Sequence, residues 1–558
     1  MIKIQYLNNI FNITLLENTK FKGDQLSYKT NDVAIYSAGF FLNAGECLNE
    51  YYCDSIPELI LKLVGDNIPV PKVLHGCYVI VVYQKLRDRL VVFNDMLSKH
   101  SVFYSIDEKS KCLMLSDSFF ETVSMVKEHG LPCTVDELGV KMMLWHRMFY
   151  DDETYVKEIK FLRPFDYLVL QDGALEVKRI ARDEMLNVSM EEAACEIDQR
   201  FNKAVALQFK KNETNGYPQV ATLSGGMDSR STFLYGLSNG YINQTCFCYG
   251  ESTSADYEYA KDLAIRNGCS YFFHPIDNGS HLLERDEICE ANEGQMVYSG
   301  PSGTYDSLRF YDTSHLGIIH TGLGGGEIMG DMRVAEHLDG MERLVEALKY
   351  KLGKGKKDRT WESFVNSLRC NAVELQRLEA CYKDYFDFNE FQSLNDIRRC
   401  LNSQKIAQSF GVEYVSPFLD EDFFCYMLRI PYELTKDRKL YIYWQKKYNP
   451  KQFETPSTFQ LGCKPGNKLG YYAKRLWKYA LNRMGRKTKD DMNPYEFWLA
   501  KNPSIANRQE TMFSEDIAHL GECISLELRN VFSDVWMNNG APRPNILTAS
   551  WALRKFLD

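Results

Sequence analysis

The sequence predicts a two-part α/β protein, in which an N-terminal part rich in β-strands precedes a C-terminal part with a parallel sheet and flanking helices. Three observations carry this prediction. The 558 residues exceed what one hydrophobic core usually holds. Short apolar segments typical of strands dominate the first part of the chain. From Tyr217 onward, strand-like and helix-like segments alternate, which is typical of parallel sheets.

Composition indicates a folded, soluble protein. Hydrophobic residues make up 45% and charged residues 25%, and the net charge of −9 argues against a general nucleic-acid binder. The sixteen cysteines contain no C-x-x-C pair, so we expect neither a disulfide framework nor a zinc site, and a reducing cytoplasm fits best. The longest apolar runs, such as Tyr78 to Tyr83, are too short to span a bilayer, so no secretion or membrane insertion is expected.

The N-terminal part contains short segments with alternating or fully apolar character and many β-branched residues. The strands predicted from them are Ala34 to Leu42, Cys77 to Tyr83, Leu90 to Phe93 and Leu113 to Leu115. The pattern changes at Ser189–Glu192, which has the form of a capping box and opens a helix. One face of that helix carries Met190, Ala194, Ile197, Phe201 and Val205. We therefore place the domain boundary near Val188, giving domains 1–188 and 189–558.

In the second domain the alternation is regular. Predicted strands are Val220–Leu223, Thr245–Tyr249 and Tyr271–His274, and predicted helices begin at about Asp228 and about Ala255. The region between about Val334 and Arg399 is charged and helical, and a polar-aromatic tail without internal repeats follows.

The segment Leu223-Ser-Gly-Gly-Met-Asp-Ser229 lies between an apolar strand and a helix-compatible run. Two glycines allow close approach of an anion, the serines offer hydroxyls, and a helix N-terminus presents unpaired N–H groups. Pyrophosphate is the natural occupant, and Asp228 makes sense as a ligand for Mg²⁺. The alternative is a Gly-Gly turn with an ordinary helix cap. Neither G-x-x-x-x-G-K-[ST] nor G-x-G-x-x-G occurs here, so a P-loop kinase or a dinucleotide enzyme is not indicated.

Around this loop the sequence resembles the ATP pyrophosphatases, and among them the asparagine synthetases and their relatives, including β-lactam synthetase and lasso-peptide cyclases. Three further blocks carry the resemblance: Thr245-Cys-Phe-Cys-Tyr-Gly250 with Asp256, His320-Thr-Gly-Leu-Gly-Gly-Gly-Glu-Ile-Met-Gly330, and Gly411-Val-Glu-Tyr-Val-Ser-Pro-Phe-Leu-Asp420. Fainter similarity to the family's glutamine amidotransferase domain lies in Leu74–Val82 and Phe93–Tyr104. The resemblance implies an αββα sandwich of the N-terminal-nucleophile-hydrolase type, joined to a Rossmann-like α/β domain that binds adenine nucleotides.

The resemblance also implies site residues and cofactors. ATP would be bordered by Leu223, Cys248, Thr321 and Gly322, and its pyrophosphate held by Ser224, Gly225, Gly226 and Ser229. Asp228 and Glu327 would bind Mg²⁺. The family also uses a lysine after the P-F-L-D block to stabilise phosphate charge. Thr458 aligns with that lysine, so Lys464 and Lys439 are the candidates to replace it.

The sequence departs from the family pattern at several positions. Ile2 stands where a family glutaminase has its nucleophilic cysteine, so we expect the N-terminal domain not to hydrolyse glutamine. Gly326 replaces an aspartate that usually ligates magnesium, and Val415 replaces an arginine. These departures fit either a divergent active subfamily or a pseudoenzyme.

Two further features allow more than one interpretation. Glu413 is either an amine-binding or base-orienting group, or a structural carboxylate paired with an arginine such as Arg398 or Arg399. Nine Lys or Arg residues between Lys464 and Lys489, interspersed with aromatic residues, form either a solvated helix or a contact for an acidic substrate, a carrier or an anionic lipid surface.

The function expected first is an ATP-dependent ligase that converts a small-molecule or peptide carboxylate to an acyl-adenylate and then to an amide. Its nitrogen would come from ammonia, another protein or an amine within the substrate. The alternative is a nucleotide-binding pseudoenzyme or partner subunit of a biosynthetic pathway, and an RNA sulfur transferase is a distant third. No nucleic-acid partner is expected, and a homodimer is one option for assembly.

Overall fold

In the N-terminal part, two antiparallel sheets pack against each other in the computed structural model, which describes residues 2–7, 10–18, 20–107, 111–331, 361–457, 470, 473–474, 476–477, 480, 492–538 and 542–557. Across the first sheet the strand order is Ile10–Leu15, Ile2–Leu7, Cys112–Ser116, Phe103–Asp107, Lys160–Phe161. Across the second it is Ala174–Arg179, Asp166–Gln171, Arg89–Asn94, Gly76–Gln84, Val33–Phe41, Ser27–Lys29. All neighbours within these two sheets are antiparallel.

Alternating side chains of the two sheets form the core between them. Ile2, Ile4 and Leu113 of the first sheet pack in one cluster with Val79 and Val92 of the second. This period-two burial is what a strand with one core-facing side requires. The two sheets therefore make a β-sandwich.

Helices cover both outer faces of the sandwich. Ala44–Tyr51 and Ile56–Gly65 lie on the second sheet, and Phe119–Glu128 and Glu137–His146 lie on the first. The order of layers is helix, sheet, sheet, helix, so the predicted αββα sandwich is confirmed.

The four strands predicted for this part are all present, within a few residues of the expected bounds. The first two strands of the chain, Ile2–Leu7 and Ile10–Leu15, were not predicted. The second is half exposed, with the pattern of alternate exposure expected for a strand at the edge of a sheet.

A five-stranded parallel sheet organises the C-terminal part, and the predicted α/β class is confirmed. The strand order is Ser270–Pro275, Gln244–Gly250, Gln219–Thr222, Ile318–His320, Glu413–Val415, and every neighbouring pair is parallel. The long helix Met190–Thr214 begins at the predicted capping box, where Ser189 and Glu192 exchange side-chain and backbone hydrogen bonds. Helices Met227–Ser238 and Ala255–Arg266 follow the first two strands of this part.

Further helices complete the C-terminal part. They are Arg285–Asn292, Ser302–Leu308, Trp361–Leu368, Ala372–Tyr382, Phe388–Ser409, Glu421–Leu428, Tyr432–Thr435, Lys439–Tyr448, Tyr495–Lys501, Pro503–Leu520, Leu526–Met537 and Arg543–Leu557. A short π-helix occupies Glu327–Asp331. The predicted helical character between 334 and 399 is confirmed from residue 361 onward, whereas residues 332–360 lie outside the described ranges. None of the helices in the described ranges has an apolar stretch long enough to cross a membrane.

The last helix joins the two parts of the chain. Arg543–Leu557 packs against Glu137–His146, with Ile546, Leu547 and Trp551 in the same buried cluster as residues on the outer face of the first antiparallel sheet. Asn545 Nδ2 donates a hydrogen bond to the carbonyl of Leu144 at 2.8 Å. The last helix of the tail, which was not predicted, is therefore part of the core. The boundary near Val188 stays a prediction.

Candidate functional site

A cavity of about 400 Å³ opens at the carboxyl ends of the parallel strands. It is lined by residues at or just after the carboxyl ends of strands Gln219–Thr222, Gln244–Gly250 and Ile318–His320, among them Leu223, Cys248 and Thr321. The sheet order reverses direction between the first and third of these strands. In open α/β sheets, ligands bind in the crevice at that point.

The predicted phosphate loop forms the floor of this cavity. Gly226 is the N-cap of helix Met227–Ser238, so the loop leads directly into a helix N-terminus. Ser229 Oγ accepts the N–H of Ser224 at 3.0 Å, and Ser224 Oγ accepts the N–H of Gly226 at 3.2 Å. The serine hydroxyls thus satisfy the amides that an anion would otherwise meet.

Asp256 supports the loop from the neighbouring helix. Its Oδ1 accepts the N–H of Gly225 at 2.8 Å, and the side chain is buried. Ser457 Oγ donates to the carbonyl of Gly225 at 3.2 Å from the other side. Both groups of Gly225 are therefore held by side chains distant in sequence, which fixes the loop. Asp256 was part of the resembling sequence block, but no role was predicted for it.

The second glycine-rich loop lies directly against the first. A Cβ built on Gly322 would stand 2.4 Å from the backbone nitrogen of Ser229, and one built on Gly325 would stand 2.6 Å from Cγ of Asp228. Neither distance is compatible with a real side chain. The two glycines are therefore needed because only a bare backbone fits between the loops.

Asp228 lies where the two loops meet and lines the cavity. Its Oδ1 accepts a hydrogen bond from the Tyr441 hydroxyl at 2.7 Å. Burial raises the pKa of Asp228 above its usual value, the charge of Arg438 opposes this shift, and the nearby Glu327 adds to it. Two carboxylates and a guanidinium thus lie near one another, and of the three Asp228 lines the cavity.

Glu327 lies close to Asp228 but is engaged elsewhere. Its Oε1 is 3.2 Å from Nη2 of Arg399, a residue that lines the cavity together with Cys400 and Ser403 of the same helix. The side chain of Glu327 is not among the lining groups. Arg399 therefore presents a cation to the cavity, whereas the sequence suggested it only as a partner of Glu413.

The structure describes one of the two lysines predicted to stabilise phosphate charge. Lys464 and Thr458 lie outside the described residues, as does most of the basic segment 464–489. Lys439 is exposed and does not line the cavity. The cation near Asp228 is its neighbour Arg438, which is buried and has a left-handed backbone, with φ of 59°. Arg438 was not predicted, because the cation that the family resemblance implies is a lysine.

The predicted nucleoside-bordering residues Leu223, Cys248, Thr321 and Gly322 all line the cavity. Burial raises the pKa of Cys248 to about 12, so its thiol is neutral at physiological pH. The opposite wall is largely apolar and was not predicted. Its members are Tyr249, Met296, Gly300, Pro301, Tyr414 and Met492.

One prediction for Glu413 was a structural role in a pair with Arg398 or Arg399, and neither arginine is its partner. Arg398 donates to the carbonyls of Asp151 and Glu153, and Arg399 pairs with Glu327. Glu413 instead accepts from Gln408 Nε2 at 3.0 Å.

The carboxylate of Glu413 lines a second cavity, of about 260 Å³, between the sandwich and the parallel-sheet part. His100 and Lys405 also line it. This polar space does not share lining residues with the first cavity.

At the start of the chain, Ile2 opens strand Ile2–Leu7. Its side chain is fully buried in the sandwich core, and its N–H donates to Asp117 Oδ1 at 3.0 Å. An alkyl side chain offers no nucleophile at this position.

Comparison with known proteins gives a family match over the C-terminal part. Residues 196–452 match the family model for asparagine synthase. No curated protein matches the chain. Among solved structures, glutamine phosphoribosylpyrophosphate amidotransferase from B. subtilis, complexed with ADP and GMP, is similar at 12% identity with a TM-score of 0.19. A structure of the allosteric regulatory enzyme of purine biosynthesis is similar at 10% identity with a TM-score of 0.20.

These structural matches are partial. The first covers 44% of this chain and 47% of that protein, and the second covers 45% and 61%. The family match includes both glycine-rich loops, Asp228 and the block ending at Asp420. The segment 196–452 is therefore an asparagine synthase family domain.

Proposed function

We propose that this protein is an ATP-dependent, amide-forming ligase that activates a carboxylate as an acyl-adenylate and releases pyrophosphate. The observation that carries the proposal is the single cavity in which two glycine-rich loops close on Asp228. Its volume of about 400 Å³ is suitable for a ligand of nucleotide size. The asparagine synthase match makes an ATP-dependent ligase the expected chemistry.

The phosphate loop would bind the pyrophosphate portion of ATP. The N–H groups of Ser224 and Gly226 now bond to serine hydroxyls within the loop, and rotation of these hydroxyls frees the amides. The following helix adds the favourable field of its N-terminus. Asp256 and Ser457 hold Gly225, so the loop needs little rearrangement to bind an anion.

Asp228 and Glu327 would hold Mg²⁺. Carboxylate oxygens are the ligands this ion prefers, and the two groups are near enough for one to raise the pKa of the other. Bound Mg²⁺ neutralises phosphate charge. Glu327 would have to exchange its contact with Arg399 to take part, which would release the Arg399 guanidinium toward the cavity.

The acyl transfer itself would depend on positioning and on charge. A substrate carboxylate would attack the α-phosphorus of ATP, pyrophosphate would leave, and an amine would then attack the acyl carbon and displace AMP. Two cations could stabilise the leaving charge: Arg438, which lies near Asp228, and Arg399, which lines the cavity. Because Ile2 provides no glutaminase nucleophile, the nitrogen would come from free ammonia, another protein or an amine within the substrate.

Exchange of labelled pyrophosphate into ATP tests the proposal without knowledge of the amine. The wild-type protein is incubated with ATP, Mg²⁺ and a panel of carboxylic acids, and we expect exchange with a subset of them. Asp228→Asn should abolish exchange, whereas Asp437→Asn, an exposed carboxylate in the same region, should retain it. Binding of ATP without exchange for any carboxylate would refute the ligase.

That same result would support a second candidate, a nucleotide-binding protein without turnover. The observation that favours it is the loss of one expected magnesium ligand at Gly326, combined with the engagement of Glu327 by Arg399. Glu327→Gln separates the two cases. It should weaken the Mg²⁺ dependence of ATP binding if Glu327 is a metal ligand, and leave that dependence unchanged if Glu327 only positions Arg399.

A further inference from the structure

A buried cluster of potential metal ligands lies where the sandwich meets the C-terminal part. His75 precedes strand Gly76–Gln84 of the sandwich. Asp420 caps helix Glu421–Leu428 of the C-terminal part, and Glu421 is its first residue. Their exposed fractions are 5%, 3% and 2%. One imidazole nitrogen and one oxygen from each carboxylate lie within 4.8 Å of one another. The ligand atoms of both parts of the chain thus converge on one point.

Each carboxylate has one oxygen that fixes its position and one that is left over. Asp420 Oδ1 caps the helix by accepting the N–H groups of Asp422 and Phe423. Glu421 Oε1 accepts from Lys99 Nζ at 2.7 Å. Asp420 Oδ2 and Glu421 Oε2 are buried and have no hydrogen-bond partner among the described residues. Buried, unpartnered carboxylate oxygens are unusual, since such groups are normally satisfied.

The spacing of these atoms suits ligands on one ion better than a hydrogen bond. His75 Nδ1 is 3.6 Å from Asp420 Oδ2, which is longer than a hydrogen bond. Two nitrogen or oxygen ligands about 2.0–2.1 Å from a tetrahedral ion lie roughly 3.4 Å apart. On the other side of the ring, His75 Nε2 is 3.7 Å from the half-exposed Asp422. A carboxylate in that position orients a metal-bound imidazole.

The charges at the cluster also leave room for a cation. Asp95, Asp420 and Glu421 are all buried, whereas only Lys99, paired with Glu421, and His75, opposite Asp420, can carry positive charge beside them among the described buried side chains, so one carboxylate charge of the three is left over. Uncompensated buried charge is expensive. The cluster formed by Asp151, Asp152 and Cys381 provides a contrast. There Arg163 and Lys160 already pair with the carboxylates.

We propose that His75, Asp420 and Glu421 bind one divalent transition-metal ion, of the zinc or manganese class, which links the sandwich to the C-terminal part. The ligand set is one imidazole and two carboxylates, and it suits these ions. A cavity of about 170 Å³ lined by His75, Glu421 and Asp422 provides the route of entry. The site is separate from the ATP cavity, because none of the three ligands lines that cavity.

Metal binding by the full-length protein tests this site. After removal of metals with a chelator, Zn²⁺ and Mn²⁺ are titrated separately in the absence of nucleotide, with calorimetry and elemental analysis as readouts. We expect about one ion per chain for the wild type. His75→Gln and Glu421→Gln should each weaken binding by at least about 100-fold, a larger loss than for an outer-shell partner. Failure of the wild type to bind either ion would overturn the proposal.

Two matched variants test where the ion binds. His100→Gln alters a partly buried histidine that pairs with a carboxylate, Asp117 at 3.0 Å, and should bind metal like the wild type. Asp228→Asn should also bind normally, because the ion is not at the ATP cavity. Loss of binding in either variant, or its retention in His75→Gln, would contradict the assignment.

A spectroscopic measurement on the wild type covers the case in which the ligand variants do not fold. Co²⁺ bound at this site should show visible d–d bands and no thiolate charge-transfer band, because the proposed ligands contain no sulfur. A thiolate band would place the ion elsewhere and refute the site.

Discussion

The close contact between the two glycine-rich loops can be tested by adding a single methyl group. Gly322→Ala would place a Cβ 2.4 Å from the backbone nitrogen of Ser229 and 2.5 Å from the carbonyl carbon of Asp228. Ordinary contact begins at 3.4 Å. Both neighbours are backbone atoms, so no side chain can rotate away. The loops must separate by about 1 Å to accept the methyl group.

The size of the effect follows from that displacement. Overpacking of this kind typically costs about 1–3 kcal/mol of stability. A 1 Å displacement of binding groups costs on the order of 100-fold in catalysis. We therefore expect a folded protein with a lower melting temperature and an affinity for Mg²⁺·ATP reduced by roughly 10- to 100-fold.

Calorimetric titration with Mg²⁺·ATP measures this loss, and Gly65→Ala is the matched control. Gly65 ends a helix of the sandwich, and a Cβ there would meet no atom within 4 Å. We expect the control to bind nucleotide like the wild type. Unchanged affinity in Gly322→Ala would mean that the two loops do not jointly form the nucleotide site, and would refute the reasoning.

Three further substitutions test the site and its support. Tyr441→Phe removes a hydrogen bond that lowers the pKa of Asp228, so the affinity for Mg²⁺·ATP should fall by roughly 10-fold, and by more at low pH than at high pH. Titration calorimetry at two pH values measures this, and an unchanged affinity at both would contradict it. Arg230→Leu removes a guanidinium that donates to three backbone carbonyls, one of them only partly buried, so the free energy of unfolding in urea should fall by about 2–4 kcal/mol. An unchanged unfolding midpoint would contradict this. Burial lowers the pKa of His320 to about 3, below its value of about 6.5 in the unfolded chain. The neutral imidazole therefore lets the protein keep its full free energy of unfolding above pH 6.5, and about 3 kcal/mol of it is lost by pH 4, because the unfolded chain binds the proton more tightly. His320→Gln should flatten that part of the unfolding curve, and an unchanged pH dependence would argue against it.

The sequence was most informative where local chemistry decides the structure. Ser189 and Glu192 cap a helix through contacts three residues apart, so the start of that helix was predictable. The loop around Gly225 was recognisable for the same reason, since its residues, the strand before it and the helix after it are contiguous. The cavity-lining residues Leu223, Cys248 and Thr321 were expected from the family resemblance of the sequence blocks that contain them.

Contacts between distant segments were not predictable in the same way. Tyr441 reaches Asp228 across 213 residues, and Arg399 meets Glu327 across 72. The sequence places Arg438 next to Lys439 without showing which of the two faces inward. That choice depends on the left-handed backbone at Arg438, which sequence periodicity does not show.

The packing of helix Arg543–Leu557 on the sandwich has a consequence for how the chain is made. Asn545 and Leu144, which bond across this interface, are 401 residues apart. At about 5–20 residues per second, roughly 20 to 80 seconds separate their synthesis on the ribosome. During that interval one apolar side of helix Glu137–His146 lacks its partner. Until residues 543–557 are synthesised, this apolar side can bind chaperones that shield apolar surfaces. A ribosome stalled before residue 543 would leave it uncovered.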